Sequence, residues 1–276
     1  MKILFCGDVV ARAGRAVLKK YISSLKTQWN IDCVIANGEN AQHGFGLSEK
    51  TSGELFSAGV DVITTGNHVW DCRELFSYIE KEPRIVRPIN FADSVPGHGF
   101  FVHKSQNGSV LVINAMGQVF MNPQLDNAFP IIRQLLKSYQ LGANHIKAIV
   151  VDFHAEASAE KAALAYYLDG LVSAVIGTHT HVPTADERIL PNGTAFITDV
   201  GMCGDYASVI GFSTLTIIPR YLKKIPMQDK HGPSTGPATL CGALLETNDE
   251  SGLCTKISTV RLDGVLNGTE NVSIPG

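Results

Sequence analysis

The residues in this sequence best suited to chemistry are two histidines that follow an apolar strand. The segment 172–176 (Val-Ser-Ala-Val-Ile) runs directly into Gly177-Thr178-His179-Thr180-His181. If the extended geometry continues, side chains two residues apart point to the same side, so both imidazoles face one place. Neutral imidazole binds divalent transition metals, which makes His179 and His181 candidate metal ligands. Taken alone, the pair also fits polar loop residues at the end of a strand.

Four other apolar strands also end in residues that can bind metal. These residues are Asp8, Glu39, Asn40, Asn67, His68 and His154. Each has a plainer alternative: Asp8 could cap the next segment, the asparagines could be turn residues, and His154 could be a hydrogen-bonded histidine at the start of a helix. A metal site is the hypothesis that explains why all five strands end in the same class of side chain.

Eight candidates exceed the roughly four to six positions around one ion. They therefore predict two metal ions that share a bridging carboxylate, about 3.5–4 Å apart. Glu39 is the natural bridge, since a carboxylate offers two oxygens. Mixed oxygen and nitrogen ligands suit Mn, Fe or Zn. A two-metal site activates a bridging water as hydroxide and holds the oxygens of a phosphoryl group.

The first strands along the chain form a β-α-β-α-β pattern. The segments 2–6, 32–36 and 60–64 are apolar with little alternation, which is typical of a parallel sheet covered on both faces. In open α/β sheets the ligand lies beyond the carboxyl ends of the strands, so we expect the candidates at one edge of one sheet. Helices are predicted at 15–26 and, with Ser48 as N-cap, at 49–58. Hairpins are predicted at 100–103 with 109–114, 188–190 with 194–198, and 241–246 with 255–262.

Composition and charge limit the class of protein. The chain has 276 residues, of which 45% are hydrophobic, and a net charge of -3; these values predict one domain over 1–276 and no general nucleic-acid surface. A polar Pro/Gly-rich stretch at 221–237 is expected to be a small excursion. No long apolar run or signal-peptide pattern is found, and the six cysteines form no C-x-x-C pair. We therefore expect a cytoplasmic protein with reduced thiols and no membrane contact. The apolar composition permits a homo-oligomer.

The strand-end motifs together match a known family pattern. Gly7-Asp8, Gly38-Glu39-Asn40, Gly66-Asn67-His68, His154 and 177–181 resemble the calcineurin-like metallophosphoesterases. The longer strings 37–41, 65–71 and 198–202 are similar to those of the YmdB-type bacterial phosphodiesterases. The resemblance spans Met1 to about Leu262. It implies an α/β fold in which a mixed β-sandwich is flanked by helices, with a dinuclear metal site at the carboxyl ends of the strands.

The resemblance also implies roles for single residues. One metal would be held by Asp8, Glu39, Asn40 and His181, and the other by Glu39, Asn67, His154 and His179. His68 would protonate the leaving oxygen or orient the phosphate; such acid catalysis contributes about 10²–10⁴ in rate. The first superfamily motif is usually Asp-x-His, and here it is Asp8-Val9-Val10, with Glu39 where Asp is usual. With Asn40 as ligand in place of the lost histidine, the first site has more oxygen character, which favours Fe or Mn, with Zn or Mg as alternatives.

The implied activity is hydrolysis of cyclic nucleotides, most of all 2',3'-cyclic ones, by a metal-bridging hydroxide. The substrate is then a small phosphodiester, and no stable nucleic-acid complex is expected. Two other functions are open: a phosphomonoesterase or nucleotidase with the same centre, and a regulatory protein that binds metal and nucleotide. The second is disfavoured by His68, because a structural metal site needs no adjacent acid.

Several further residues are secondary candidates. Arg12 and Arg15 follow Asp8 and could contact phosphate, or be solvent-exposed helix residues. His43 could line the pocket or be an exposed loop histidine. Asp199 could support a metal-bound imidazole or serve only in a turn. The remaining pair, Phe120 and Met121, could offer a nucleobase an apolar face, although core packing is the simpler role.

Overall fold

Two β-sheets lie face to face, and helices cover their outer faces, in the computed structural model, which describes residues 1–223 and 232–266. Along these residues the strands are β1 (Lys2–Cys6), β2 (Asp8–Val9), β3 (Cys33–Asn37), β4 (Val62–Thr64), β5 (Ile85–Val86), β6 (Phe100–Ser105), β7 (Gly108–Met116), β8 (Ile146–His154), β9 (Ala174–Thr178), β10 (Arg188–Ile189), β11 (Ala195–Ile197), β12 (Met202–Asp205), β13 (Ala238–Thr247) and β14 (Cys254–Leu262). The helices are α1 (Ala11–Gln28), α2 (Glu49–Ala58), α3 (Leu75–Tyr78), α4 (Ala128–Leu135), α5 (Ser158–Tyr167) and α6 (Thr214–Lys223).

Both sheets are mixed: in the first the antiparallel pairs lie in the middle, at β12–β13 and β13–β1, and in the second they lie at the two edges, at β10–β11 and β6–β7. The first has the order β2-β12-β13-β1-β3-β4-β5, with β14 paired to β13. Its strands β1, β3, β4 and β5 are parallel. The second has the order β10-β11-β9-β8-β7-β6, with β7, β8, β9 and β11 parallel. The three predicted hairpins are confirmed as β6–β7, β10–β11 and β13–β14. The predicted fold class, a mixed β-sandwich flanked by helices, is confirmed.

The strands look apolar throughout because both of their faces are buried. In β1, Leu4 and Cys6 pack toward α1 and α2, whereas Ile3 and Phe5 point between the sheets. All four are completely buried. Successive side chains in a strand point to opposite faces, so a strand between two apolar layers loses the usual polar alternation. The second sheet follows the same rule, with α4 and α5 on its outer face.

Helix α1 begins earlier than the sequence pattern predicts. It starts at Ala11, four residues before the predicted start at Arg15, and Val10 is its N-cap. The apolar period is visible only from Val17, so the first turn carries no signal. Asp8 lies in β2 and does not cap this helix.

Helix α2 has the predicted cap. The Ser48 hydroxyl accepts from the Thr51 amide at 3.1 Å, and the Thr51 hydroxyl accepts from the Ser48 amide at 3.0 Å. Thr51 thus fills the place that Glu or Gln takes in the usual capping box.

The expectation that all candidate strand ends lie on one sheet is wrong. Strands β1, β3 and β4 belong to the first sheet, and β8 and β9 to the second. The chain crosses between the sheets in the irregular passage from β5 to β6, where no hydrophobic periodicity marks a change of sheet. The predicted excursion at 221–237 includes the end of α6 at 221–223, and its residues 224–231 lie outside the described residues.

Candidate metal and catalytic site

The carboxyl ends of the parallel strands from both sheets meet at one end of the sandwich. Asn37, the last residue of β3, reaches across this seam, and its Nδ2 donates to Asp152 Oδ2 of β8 at 3.1 Å. Both side chains are fully buried. The loops that follow β1, β3, β4, β8 and β9 therefore approach one another, and the eight predicted residues lie on or next to them.

Four of the predicted ligands converge on one point. The Nε2 atom of His154 lies 2.9 Å from Glu39 Oε1, 3.0 Å from Asn67 Oδ1 and 3.0 Å from His179 Nδ1. A ring nitrogen carries at most one hydrogen, so hydrogen bonding satisfies only one of the three acceptors. Four lone-pair atoms facing one another at such distances fit the ligand shell of a divalent cation.

The tautomer of His154 depends on Thr178, which contacts the ring nitrogen that faces away from the other ligands. The Thr178 hydroxyl donates to Asp152 Oδ1 at 2.6 Å, so its oxygen is left to accept from His154 Nδ1 at 3.0 Å. In the neutral ring the hydrogen is then on Nδ1, and the lone pair is on Nε2, the atom that faces the other ligands. A backing hydrogen bond of this kind is the usual support of a metal-bound histidine.

Charges within this group oppose the effect of burial. Burial alone raises the pKa of Glu39, but the charge and hydrogen bond of His154 outweigh it and lower the pKa to about 2. Burial alone lowers the pKa of His154, but Glu39 outweighs it and raises the pKa to about 9. Without a bound cation, His154 Nε2 therefore carries a hydrogen that it donates to Glu39, and a metal ion at this point would take the place of that hydrogen. Burial and the neighbouring His154 lower the pKa of His179 to about 3, which leaves that ring neutral with a free lone pair.

A second group forms around Asp8. Its Oδ1 lies 3.8 Å from His181 Nε2, and its Oδ2 accepts from the His179 amide at 3.2 Å. His181 Nδ1 faces the carbonyl oxygen of Ile210 at 2.9 Å. A carbonyl can only accept, so Nδ1 carries the hydrogen and Nε2 presents its lone pair toward Asp8. The same geometry that orients His154 therefore orients His181.

Within the described part of the chain, two buried oxygens of the predicted ligands have no hydrogen-bond partner. They are Asp8 Oδ1 and Asn40 Oδ1. The amide of Asn40 is held in this orientation because its Nδ2 donates to the Gly44 carbonyl at 3.0 Å. An unpaired buried oxygen is costly, by about 1–3 kcal/mol. Two such oxygens among the predicted ligands, one of them 3.8 Å from His181 Nε2, fit the demands of a hard cation, so the residues present are suited to metal.

The extended geometry expected for the histidine pair does not persist. Strand β9 ends at Thr178, and the backbone is left-handed at His179 (φ 99°) and His181 (φ 65°). The two imidazoles therefore enter different groups, His179 beside His154 and His181 beside Asp8. The cause is a fold-back of the chain. The Thr180 amide donates to Asp199 Oδ2 at 3.0 Å, and this carboxylate is paired with the buried Lys161 Nζ at 2.9 Å.

His68 stands at the rim, next to the ligands. Its backbone amide donates to Glu39 Oε2 at 3.0 Å, so the loop is tied to the proposed bridging carboxylate. Its ring Nδ1 pairs with Asp71 Oδ2 at 2.8 Å, and its side chain is 28% exposed. Among the residues that the structure describes, none forms a hydrogen bond with the opposite ring nitrogen. Gly66 is required here, since a Cβ on it would lie 2.3 Å from the His154 ring.

The secondary candidates separate into those at the site and those away from it. Arg15 is bound to Glu54 at 2.6 Å and to the Ala41 carbonyl, and Arg12 and His43 are exposed. Asp199 supports the backbone of the histidine loop and not an imidazole. The last two, Phe120 and Met121, are 87% and 4% exposed.

Another trio within the described residues has metal-ligand chemistry. Cys33, Asp61 and His103 place donor atoms within 4.8 Å of one another. However, Asp61 already binds Lys26 Nζ through both oxygens at 2.8 Å and accepts the Val34 amide at 2.8 Å. The Lys26 ammonium therefore already supplies the positive charge at Asp61.

Sequence reasoning did not find the supporting residues Thr178, Asp152, Lys161 and Asp71. Asp152 had a usable signal, since it precedes His154 by two residues in one strand and so points to the same side. Asp71 follows His68 by three residues in a turn. Lys161 carried no such signal, because a lysine in a helix is normally exposed.

Comparison with known proteins agrees with this geometry. Residues 4–260 match the family described as YmdB-like protein. The chain belongs to the YmdB-like family. It is 44% identical over 266 residues to the 2',3'-cyclic-nucleotide 2'-phosphodiesterase of Bacillus subtilis, covering 95% of this chain and 97% of that one. A putative phosphatase/phosphodiesterase of Mycoplasma pneumoniae is 40% identical over 76% of this chain and 75% of its own.

Solved structures of similar proteins share the YmdB-like fold. A hypothetical protein from Thermus thermophilus superposes with a TM-score of 0.87 at 40% identity, covering 96% of this chain and all of that one. A novel phosphatase from Mycoplasma pneumoniae gives a TM-score of 0.87 at 34% identity, covering 95% and 93%. Among the residues described for this YmdB-like chain, no helix has the length and apolar character to cross a membrane.

Proposed function

We propose that this protein is a metal-dependent phosphodiesterase that opens 2',3'-cyclic nucleotides. The observation that carries the proposal is the convergence of Glu39, Asn67, His154 and His179 on one point, with His68 at the rim. The name of the Bacillus subtilis relative supports the substrate class. The substrate is a small diester, so it can bring its phosphorus to the ligand groups without contacting a large area of the protein surface.

Two ions fit the two groups of ligands. One would be held by Asp8, Glu39, Asn40 and His181, and the other by Glu39, Asn67, His154 and His179. When bound, the ions would supply positive charge to the phosphoryl oxygens and lower the pKa of the attacking water. The preponderance of oxygen ligands in the first group favours Fe or Mn.

The protein's own contribution begins with proton transfer. Attack on phosphorus breaks one ester bond to the ribose, and the departing oxygen needs a proton to leave as an alcohol. The ring nitrogen of His68 that faces away from Asp71 would give this proton. The 2.8 Å pair with Asp71 holds the ring in place. The product is a nucleoside monophosphate with the phosphate on one ribose oxygen.

The deciding experiment compares wild-type protein with His68→Gln. Protein loaded with Mn is assayed on 2',3'-cyclic AMP by product chromatography, and its metal content is measured by elemental analysis. We expect kcat to fall by about 10²–10⁴ in His68→Gln with metal content unchanged. The exposed His43→Gln is the matched control and keeps wild-type turnover.

Three results would overturn the proposal. Equal turnover by wild type and His68→Gln would remove the acid role. No opening of the cyclic diester by metal-loaded wild type would remove the activity. Turnover of adenosine 3'-monophosphate in its place would indicate a phosphomonoesterase.

A further inference from the structure

A stacked pair of phenylalanine rings, Phe45 and Phe212, lies next to His68 at the candidate site, and we call this pair the aromatic wall. The ring of Phe45 meets the His68 ring edge-on, with centroids 4.9 Å apart, and stacks on Phe212 at 5.0 Å with the planes 28° apart. Phe45 is 38% exposed although it is a large apolar side chain. The function proposed above uses neither phenylalanine.

The aromatic wall borders a small, largely apolar cavity. The cavity has a volume of about 150 Å³. Five apolar residues line most of it, Phe45, Val209, Ile210, Phe212 and Ile217, and Arg220 and Tyr221 complete the lining. Apolar cavities of about this size accept an aromatic ring of benzene's dimensions. A flat ring system thus suits the apolar part of the cavity, which Phe45 and Phe212 border.

Both sides of this cavity are attached to the predicted metal ligands. On one side, Asn40 Nδ2 binds the Gly44 carbonyl at 3.0 Å, directly before Phe45. On the other side, His181 Nδ1 binds the Ile210 carbonyl at 2.9 Å. Ile210 belongs to a tight turn in which Val209 and Phe212 exchange backbone hydrogen bonds at 2.9 and 3.0 Å. The cavity is therefore held at a set position relative to the place where phosphorus would react.

The approach of Phe45 to Phe212 also depends on Gly44, the residue before Phe45. Gly44 has φ +92°, and a Cβ added to it would lie 3.0 Å from Phe212 Cε1. The close approach of the loop after β3 to the Phe212 ring, which brings Phe45 onto that ring, is therefore built into the backbone.

We propose that this cavity is the nucleobase subsite and that Phe45 and Phe212 form its stacking wall. The inference rests on the proposed phosphodiesterase function, because it needs a nucleotide whose phosphate lies at the ligand groups. Every base presents a flat π-face, so stacking here accepts purines and pyrimidines alike. The subsite thus selects nucleoside cyclic phosphates over cyclic phosphates without a base. The alternative is Phe120, which the sequence analysis named as a residue that could contact the nucleobase.

The test compares two substrates of the same ring chemistry in the metal-loaded enzyme. One is 2',3'-cyclic AMP, and the other is glycerol 1,2-cyclic phosphate, which has the five-membered cyclic diester but no base. The measured quantity is the ratio of their kcat/KM values. We expect Phe45→Ala to lower this ratio by about 5- to 100-fold, in line with the loss of one base–aromatic stack. Phe212→Leu, which keeps apolar volume, lowers it less, and Phe120→Ala leaves it unchanged.

A binding measurement separates the subsite from the activity. Calorimetry gives the ratio of Kd for inorganic phosphate to Kd for adenosine 3'-monophosphate, and we expect Phe45→Ala to reduce it by a similar factor. If Phe45→Ala changes neither the kcat/KM ratio nor the Kd ratio, the subsite proposal is wrong. It is also wrong if these ratios fall in Phe120→Ala and not in Phe45→Ala. If wild type opens neither diester, the proposed function fails, and the calorimetric ratio still decides whether the cavity binds the base.

Discussion

At the scale of single residues, the candidate site is organised by hydrogen bonds behind the ligands. Thr178 receives the Nδ1 hydrogen of His154, and the Ile210 carbonyl receives that of His181. In both rings the lone pair is thereby directed into the site. Asp152 completes the first of these arrangements, and burial raises its pKa to about 7.

The support of His154 by Thr178 can be tested with Thr178→Val. Valine keeps the shape of threonine but removes the hydroxyl, so His154 Nδ1 loses its acceptor. Changes to such backing groups typically cost about 10- to 100-fold in metal affinity, and we expect that loss in a competition assay with a fluorescent chelator. Thr194→Val is the matched control, because its hydroxyl binds the Val172 carbonyl at 2.7 Å near the start of β9. Equal metal affinity in the two variants would show that Thr178 does not orient the ring.

At the scale of elements, the loop after β9 determines which group of ligands each histidine joins. Its left-handed residues send His179 and His181 into different groups, and a buried ion pair holds the fold-back. Lys161 and Asp199 are 0% and 1% exposed, and Asp199 also accepts the Thr180 amide. Helix α5 therefore anchors the loop from outside the site.

Removal of the lysine charge should expose the strength of this anchor. Lys161→Met leaves Asp199 buried without a cation, and breaking a buried pair in this way costs about 3–5 kcal/mol. We expect that decrease in the free energy of unfolding by urea titration. The double variant Lys161→Met/Asp199→Asn removes both charges and should recover part of the loss. A single variant as stable as wild type would mean that the pair does not hold the loop.

At the scale of the whole molecule, the site depends on the packing of the two sheets against each other. Ile3, Phe5 and Ile35 from the first sheet and Val150 and Ile176 from the second lie in one buried cluster between the sheets. The helices add a layer on each outer face. Movement of one sheet relative to the other would separate the ligands of β1, β3 and β4 from those of β8 and β9.

A cavity between the sheets should therefore reduce stability strongly. Ile35 is completely buried there, so Ile35→Ala is expected to cost about 2–5 kcal/mol and Ile35→Val about 0.5–1.5 kcal/mol. Ile189→Ala, at a site that is 38% exposed, serves as the control with a small effect. Urea unfolding followed by both circular dichroism and fluorescence would measure these values. Coincident curves from the two probes are expected if the predicted single domain unfolds as one unit.

The sequence by itself determined which candidate ligands the site offers, because only certain side chains can bind a metal and their positions after the apolar strands can be read from neighbouring residues. It also determined the hairpins and the Ser48 cap, which depend on neighbouring residues. Only the tertiary structure decided that the strand ends come from two sheets, that His179 and His181 face different groups, and that Lys161 is buried beneath their loop. These features depend on contacts between residues far apart in the chain. The fold-back at Thr180, for example, exists because Asp199 and Lys161 meet there, and no pattern within the 177–181 segment encodes that meeting.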